Sequence, residues 1–269
     1  MSYVDDDVES QWERREALKD YGFICTCERC TKDDDVDDAA VPHMRARDCN
    51  DESALALNSA SVVQSLPANF SLAFVGGLDV SYVKDSTTAV ACLVVCSFPD
   101  LAVVSEAFQV FSVESAYQSG QLAVREGAAL TSLVKAHADA LDMLLVDGSG
   151  VHHPRQFGLA CHVGVGTGKP CIGVAKTLLC VDGADMDRVR AALDEDDGKL
   201  VGDSGATLGY ALVAGKAAST RPIFVSVGHL VDAHSAVGIV RSCCLYRVPE
   251  PIRQADIRGR AYLREHKLC

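Results

Sequence analysis

Three acidic residues stand at positions from which a folded chain could bring them together. Asp79 lies inside the strand-like run "GLDVSY", Glu126 lies in the helix-like segment "AVREGA", and Asp147 ends the apolar run "LLVDG". Strand ends and flanking helix turns of an α/β sheet converge on one crevice, so these carboxylates are candidates for one site. Carboxylate oxygens suit Mg²⁺ or Mn²⁺, which can activate water and neutralise a phosphoryl group in transfer. A single Asp in such a run is also a common turn or capping residue, and the pattern alone leaves both interpretations open.

Two basic side chains end other apolar runs. Lys176 closes "CIGVAKT" and His229 closes "IFVSVGH". A lysine there can hold a phosphate, and a histidine can position water or carry a proton. Taken singly, each is explained as well by an exposed strand-end lysine or a hydrogen-bonded structural histidine. Their coincidence with three acidic positions favours a shared site.

The turn after Asp147 reads "GSGVHHPR". Gly148 and Gly150 would let backbone N–H and C=O groups approach a ligand closely. His153 and Arg155 follow, and Arg155 could meet a phosphate or pair with an acidic side chain.

Composition bounds the class of protein. The chain has 269 residues and is 48% hydrophobic, which is enough for one main domain with a small appendage. Its 12 cysteines sit singly in apolar runs such as "ACLVVCSF", as core residues of a protein in a reducing compartment would. The acidic start has no apolar signal region, and no later run is long enough to span a bilayer, so we expect no export and no membrane.

The negative charge is concentrated at the start of the chain. Residues 1–52 hold 16 acidic against 7 basic residues and so contribute −9 of the formal net charge of −12. The remaining chain is close to neutral, and binding of a polyanion by the main domain therefore stays possible in principle.

The pattern along the chain predicts an α/β fold. Three β-rich runs, "LAFVGGLDVSYV", "TTAVACLVVCSF" and "AVVSEAFQVFSV", predict an antiparallel meander, followed by a helix over residues 120–140. The apolar runs "DMLLVDG" and "PCIGVAKT" alternate with helix-like segments, as in parallel crossovers, and two further strands precede a helical ending. This order predicts a ribonuclease H-like mixed sheet with a short, cysteine-containing N-terminal appendage.

Several of these segments carry a family resemblance. "GLDVSYV", "AYQSGQLAVRE", "LLVDGSGVHHPRQFGLACHVGV", "PCIGVAKTLL", "VGDSGATLGYAL" and "RPIFVSVGH" resemble endonuclease V in order and spacing, over roughly Phe74 to Arg260. The closing "YRVPEPIRQADIRGR" is similar to the animal branch.

The resemblance implies roles for particular residues. It implies that Asp79, Glu126 and Asp147 bind the metal, and that Lys176 and His229 act at the scissile phosphate and the attacking water. A further set would contact the substrate, with an aromatic wedge beside the altered base and a base pocket after the fourth strand. That set is Tyr117, Gly148, Ser149, Gly150, His153 and Arg155.

The first residues carry a different resemblance. "YGFICTCERC" resembles the cysteine-rich post-SET tail of SMYD-type lysine methyltransferases, in which such cysteines bind zinc. Cys25, Cys27 and Cys30 supply three thiolates, whereas a structural Zn²⁺ site needs four ligands, so the site is incomplete unless another cysteine joins it. A fused gene model, a working zinc appendage and an inert tail all remain open. We expect a post-SET-like segment at 1–33, an acidic, disordered linker at 34–69, the nuclease domain at 70–260 and a tail at 261–269.

The function that the endonuclease V resemblance implies is a Mg²⁺-dependent endonuclease, with Mn²⁺ as a substitute. It would cut single-stranded RNA one nucleotide 3′ of inosine and leave 5′-phosphate and 3′-hydroxyl ends. The alternatives are a deoxyinosine-specific DNA-repair endonuclease and a catalytically weak module that binds inosine RNA. We expect a monomer in the cytoplasm, with the nucleus or nucleolus as further compartments.

Overall fold

A computed structural model describes residue 66 and residues 69–113, 121–195, 197–215 and 221–268. Several expectations lie outside these ranges. They are the segment 1–33 with Cys25, Cys27 and Cys30, nearly all of the linker, and Tyr117.

One mixed sheet forms the centre of the described fold. Its strands are β1 Phe74–Tyr82, β2 Thr88–Ser97, β3 Val103–Ser112, β4 Met143–Asp147, β5 Cys171–Ala175, β6 Lys199–Val201, β7 Thr207–Leu212 and β8 Ile223–His229. Their spatial order is β3-β2-β1-β4-β5-β8-β7-β6. The first three strands pair antiparallel, β4 lies parallel to β1, and β5 lies parallel to β4. The last three strands extend the sheet by antiparallel pairing.

Helices cover both faces of this sheet. They are α1 Leu122–Lys135, α2 Leu159–Thr167, α3 Met186–Glu195, α4 Ala233–Ser242 and α5 Glu250–Glu265, and a short 3₁₀ turn follows α1. In β2, Ala91, Leu93 and Val95 pack in the cluster that contains α1 and α2. The alternate residues of the same strand pack with Ala255 of α5 on the other face. Among the helices of the described ranges, none has the length and apolar character needed to cross a membrane.

The predicted ribonuclease H-like arrangement is confirmed, with differences in detail. The helix expected over 120–140 ends at Lys135, because the chain turns there into the 3₁₀ segment Ala138–Ala140. β6 was not predicted, since three residues are too few to show a period. The last helix, α5, continues to Glu265 and buries Leu263, past the expected domain end at residue 260.

Close backbone packing joins the first strand to the last helix. A Cβ placed on Gly77 of β1 would lie 2.0 Å from the carbonyl carbon of Pro251 and 2.5 Å from the nitrogen of Ile252. Only a residue without a side chain allows α5 to approach the strand this closely.

Replacing Gly77 with alanine should therefore destabilise the domain by about 1–3 kcal/mol, the usual cost of overpacking. The clash is with backbone atoms, which cannot move aside as a side chain can. Gly238→Ala, within α4, is the matched control, because a Cβ there meets nothing within 4 Å. In urea unfolding, the free energy of unfolding of the control should rise by about 0.5–1 kcal/mol, because alanine favours a helix more than glycine does. Equal stabilities of the two variants would contradict the packing argument.

Candidate active site

Asp79 and Asp147 lie side by side because two parallel strands carry them. Leu78 of β1 is paired with Val146 of β4, so the next residue of each strand, the aspartate, follows in register. Side chains alternate along a strand, and both carboxylates therefore point to the same face of the sheet. Asp79 is buried and Asp147 is half-buried.

Lys176 supplies a cation to this pair. Its ammonium Nζ donates a 2.5 Å hydrogen bond to Asp147 Oδ2 and lies 3.9 Å from Asp79 Oδ1. Lys176 follows β5, in which Val174 is paired with Asp147, so alternation directs both side chains to one face. One ammonium thus faces two carboxylates.

The electrostatics of Asp79 reflect this crowding. Burial raises the pKa of Asp79 to about 8, and the hydrogen bond and negative charge of Asp147 act in the same direction. The Lys176 ammonium opposes the shift. Burial is thus the main reason that Asp79 keeps its proton, and the neighbouring carboxylate adds to it.

Glu126 lies on the other side of the strand end. It sits on α1, is only 5% exposed, and its Oε1 accepts a hydrogen bond from the hydroxyl of Tyr82. Burial raises the pKa of Glu126 to about 7, the Tyr82 hydrogen bond opposes this, and the charge of Asp147 adds to it. The structure thus brings Asp79, Asp147 and Lys176 into contact. Glu126 is hydrogen-bonded to Tyr82, and the charge of Asp147 raises its pKa.

The turn after Asp147 is fixed by the neighbouring strand β8 and by α2. The Gly150 N–H donates to Ser226 Oγ at 2.8 Å, and the Ser149 carbonyl accepts a hydrogen bond from the N–H of Ala160 in α2. A Cβ on Gly150 would lie 1.9 Å from the carbonyl oxygen of Val227. Close packing against β8 therefore explains why position 150 is a glycine, independent of any ligand.

The histidines occupy different surroundings. His153 is buried, and its Nδ1 accepts a 3.2 Å hydrogen bond from the backbone N–H of Arg155. His152 is also buried and donates through Nε2 to the carbonyl of Leu179 at 2.9 Å. Burial lowers the pKa of His152, which agrees with a structural role as a neutral ring.

His229 lies away from the carboxylate pair. It is paired with Cys171, the first residue of β5, whereas Asp147 is paired with Val174, three residues further on. That separation corresponds to about 10 Å along the sheet. Its buried Nδ1 has no hydrogen-bond partner among the described residues, and burial lowers the pKa of the ring. The role that the resemblance gave to His229 stays a prediction.

Sequence reasoning did not identify Arg247, which holds the backbone at Lys176. Its guanidinium donates to the carbonyls of Lys176 at 2.7 Å, Pro222 at 3.0 Å and Arg221 at 3.1 Å. An arginine in "LYRVPEP" gives no hint of this in the sequence, because its partners are backbone groups far along the chain. Arg247 thereby ties the end of β5 to the start of β8.

Asp256 is a second residue that the sequence did not reveal. On α5, Ile252 lies against Gly77 of β1, and Gly259 lies against Ser81 of the same strand. Asp256 lies between these two contacts on the helix, next to the part of β1 that carries Asp79. Its carboxylate accepts a hydrogen bond from Arg260. In sequence it resembles part of a solvated helix face, and only the packing of α5 shows its position.

The donor set fits a hard divalent cation. Asp79 and Asp147 offer carboxylate oxygens at one place, and such oxygens are the ligands that Mg²⁺ and Mn²⁺ prefer. Within the ranges that the structure describes, no three His, Cys, Asp or Glu side chains already converge around a single ion position. Asp147 bonds to Lys176, so cation binding at Asp147 would compete with that contact.

The chain is similar to known proteins in sequence and in fold. Residues 57–257 match a family model described as Endonuclease V. The human endonuclease V is 46% identical over 211 residues, an alignment that covers 74% of each chain. A crystal structure of the human protein has a TM-score of 0.70 at 43% identity and covers 78% of this chain and 94% of its own. Endonuclease V of Ciona intestinalis, in complex with a 24mer DNA containing an inosine followed by a ribo-adenosine, has a TM-score of 0.68 at 34% identity and covers 77% and 93%.

The elevated pKa of Asp79 makes the stability of the metal-free protein depend on pH. Asp79 binds its proton more tightly in the folded protein than in the unfolded chain, where its pKa is 3.8. The stability that protonation of Asp79 adds to the folded protein is therefore fully present below that value and is lost as the pH rises to about 8. In urea titrations with EDTA, wild type should lose stability relative to Asp79→Asn between about pH 5 and about pH 8.

Asp187→Asn is the control for this measurement, because the Asp187 carboxylate is exposed and pairs with Arg190 on the surface of α3. It should follow wild type at each pH. A stability difference between Asp79→Asn and wild type that stays constant over this range would refute the assigned shift.

Proposed function

The chain belongs to the endonuclease V family, whose members are nucleases that act on phosphodiester bonds, and we propose that it is an inosine-specific endoribonuclease dependent on a divalent metal. It cleaves single-stranded RNA one nucleotide 3′ of inosine and leaves 5′-phosphate and 3′-hydroxyl ends. The observation that carries this proposal is the carboxylate pair Asp79–Asp147 on two adjacent parallel strands, with Lys176 in contact with both.

In this proposal the carboxylates hold the ion. Asp79 and Asp147 would supply two carboxylates to the ion, and Glu126 would supply a third. Asp256 lies on the same face of the sheet as Asp79 and Asp147. When bound, Mg²⁺ or Mn²⁺ would favour ionisation of a water and neutralise charge on the phosphate. Zinc at Cys25, Cys27 and Cys30 has no part in this chemistry.

Lys176 and the histidines act on the substrate. The Lys176 ammonium, now bonded to Asp147, can turn to a phosphate oxygen once a cation takes over that carboxylate. From the resemblance we also assign His229 to the scissile phosphate and the attacking water, and it lies about 10 Å from the carboxylate pair along the sheet. A neutral ring suits that role, because its pKa is lowered by burial and it can then accept a proton.

Base recognition belongs to the turn after β4. Gly148, Ser149 and Gly150 lie in a backbone segment held by β8 and α2, and a rigid backbone presents fixed hydrogen-bonding groups to a base. His153 and Arg155 would contact the substrate at its rim. Tyr117 would fill the gap left by the displaced base, by stacking.

The preference for RNA rests on two observations. The ending "YRVPEPIRQADIRGR" is similar to the animal branch of the family. The nucleic acid bound to the Ciona intestinalis relative carries a ribo-adenosine directly after the inosine. A contact to the 2′-hydroxyl at that position would distinguish the two kinds of strand. Cleavage of deoxyinosine DNA is the second candidate function.

We propose further that residues 70–260 carry the activity, that residues 1–69 are an appendage and linker, and that the enzyme is a monomer of the cytoplasm, with the nucleus and nucleolus as further sites. A module that only binds inosine RNA is the less favoured alternative, because Asp79, Glu126 and Asp147 are all present.

Asp147→Asn should abolish cleavage of an inosine oligonucleotide in Mg²⁺, a loss of at least about a hundredfold, because it removes a carboxylate from the pair. Binding of the strand, measured by fluorescence anisotropy without Mg²⁺, should stay within about threefold of wild type. Asp187→Asn, on the exposed surface of α3, is the matched control and should cleave normally. Turnover by Asp147→Asn at the wild-type rate would remove Asp147 from the active site.

Two strands that differ in one sugar test the substrate class. Each carries inosine, followed on its 3′ side by either a ribonucleotide or a deoxyribonucleotide. We expect the ribonucleotide strand to be cut faster by at least about tenfold, because loss of one hydrogen bond to a charged group costs about 1.5–3 kcal/mol. Equal rates, or faster cutting of the deoxy strand, would favour the DNA-repair alternative.

A further inference from the structure

We propose that Tyr82 is a positioning residue for Glu126, and that its hydroxyl holds one oxygen of that carboxylate so that the other is presented to the divalent cation. The inference rests on the proposed function, and it adds a residue to which the sequence analysis assigned no role. The observation behind it is the hydrogen bond from the Tyr82 hydroxyl to Glu126 Oε1.

The position of Tyr82 follows from the alternation of β1. Leu78 packs in the cluster that includes α1, and Val80 packs against it, so Tyr82, the last residue of the strand, points to the same side. Asp79 points to the opposite face. One strand thus supplies Asp79 to the carboxylate pair and Tyr82 to the carboxylate on α1.

Glu126 needs such a partner. It is 5% exposed, and a buried carboxylate without a hydrogen-bond donor is costly. Glutamate has three rotatable side-chain bonds, and loss of that freedom opposes any single arrangement. The Tyr82 hydroxyl satisfies Oε1 and selects one arrangement, which lowers the cost of organising the site when a cation binds.

The ring of Tyr82 is itself held in place. The guanidinium of Arg125 lies 4.7 Å from the ring centroid, in cation–π geometry, and Arg125 is the neighbour of Glu126 on α1. Pairing of Tyr82 with Ala89 of β2 fixes the backbone beneath the ring. These contacts hold the ring and the backbone of Tyr82 and so fix the position of its hydroxyl.

Tyr82→Phe is the direct test, because it removes one oxygen and keeps the ring over which Arg125 lies. Binding of Mn²⁺ to the full chain without nucleic acid, measured by isothermal titration calorimetry, should weaken about tenfold, as expected for loss of a group that orients a ligand. Cleavage should fall at low Mn²⁺ and recover toward wild type in excess Mn²⁺. A purely structural role for the hydroxyl would lower the melting temperature and leave the Mn²⁺ affinity unchanged.

Tyr246→Phe is the matched control. Arg253 lies 4.7 Å from the centroid of the Tyr246 ring, the same cation–π distance, and Tyr246 is exposed on the segment before α5. Its substitution should leave Mn²⁺ binding unchanged. A tenfold loss in this control as well would show that the effect does not come from the contact with Glu126.

A double-mutant cycle with Glu126→Gln separates direct from indirect action. If Tyr82 acts through Glu126, adding Tyr82→Phe to Glu126→Gln should weaken Mn²⁺ binding no further. Wild-type affinity in Tyr82→Phe, additive losses in the double variant, or wild-type affinity in Glu126→Gln would each overturn the proposal. The proposed function fails separately, if Asp147→Asn still cleaves inosine strands.

Discussion

The repulsion between the carboxylates of Asp79 and Asp147 is the constraint around which the site is built. Parallel pairing of β1 with β4 forces the two groups together, and burial denies them the water that would screen their charge. Lys176 lowers the pKa of Asp79, but burial and the neighbouring Asp147 raise it by more, to about 8. A divalent cation would favour the ionised form of both carboxylates, and it would replace the proton of Asp79 and the contact of Lys176 with Asp147.

The surroundings keep this crowded arrangement from relaxing. The turn after Asp147 is pinned through Gly150 to β8, and a Cβ on Gly173 of β5 would lie 2.5 Å from the nitrogen of Gly150. Glycines at both positions let three backbone segments meet without side chains between them. Because these contacts are made by backbone atoms, the geometry of the site depends little on the rotamers of its neighbours.

The sequence predicted the elements and the central carboxylates, and missed the contacts that organise them. Strand runs ending in Asp147 or Lys176 are visible because apolar periodicity and a terminal polar residue are local features. The link between Tyr82 and Glu126 joins residues 44 positions apart, and that of Arg247 with Lys176 joins residues 71 apart, so neither has a local signature. The antiparallel direction of β8 was equally hidden, since pairing direction depends on the path of the connecting chain rather than on strand composition.

The clasp that Arg247 makes on the carbonyl of Lys176 has a consequence for biosynthesis. Strands β1 to β5 are complete long before the ribosome reaches residue 247, and domains assemble from the N-terminus as the chain emerges. The loop that carries Lys176 is anchored only when this arginine has left the exit tunnel, and Gly77 receives its covering helix later still. A nascent chain therefore holds an unfinished site.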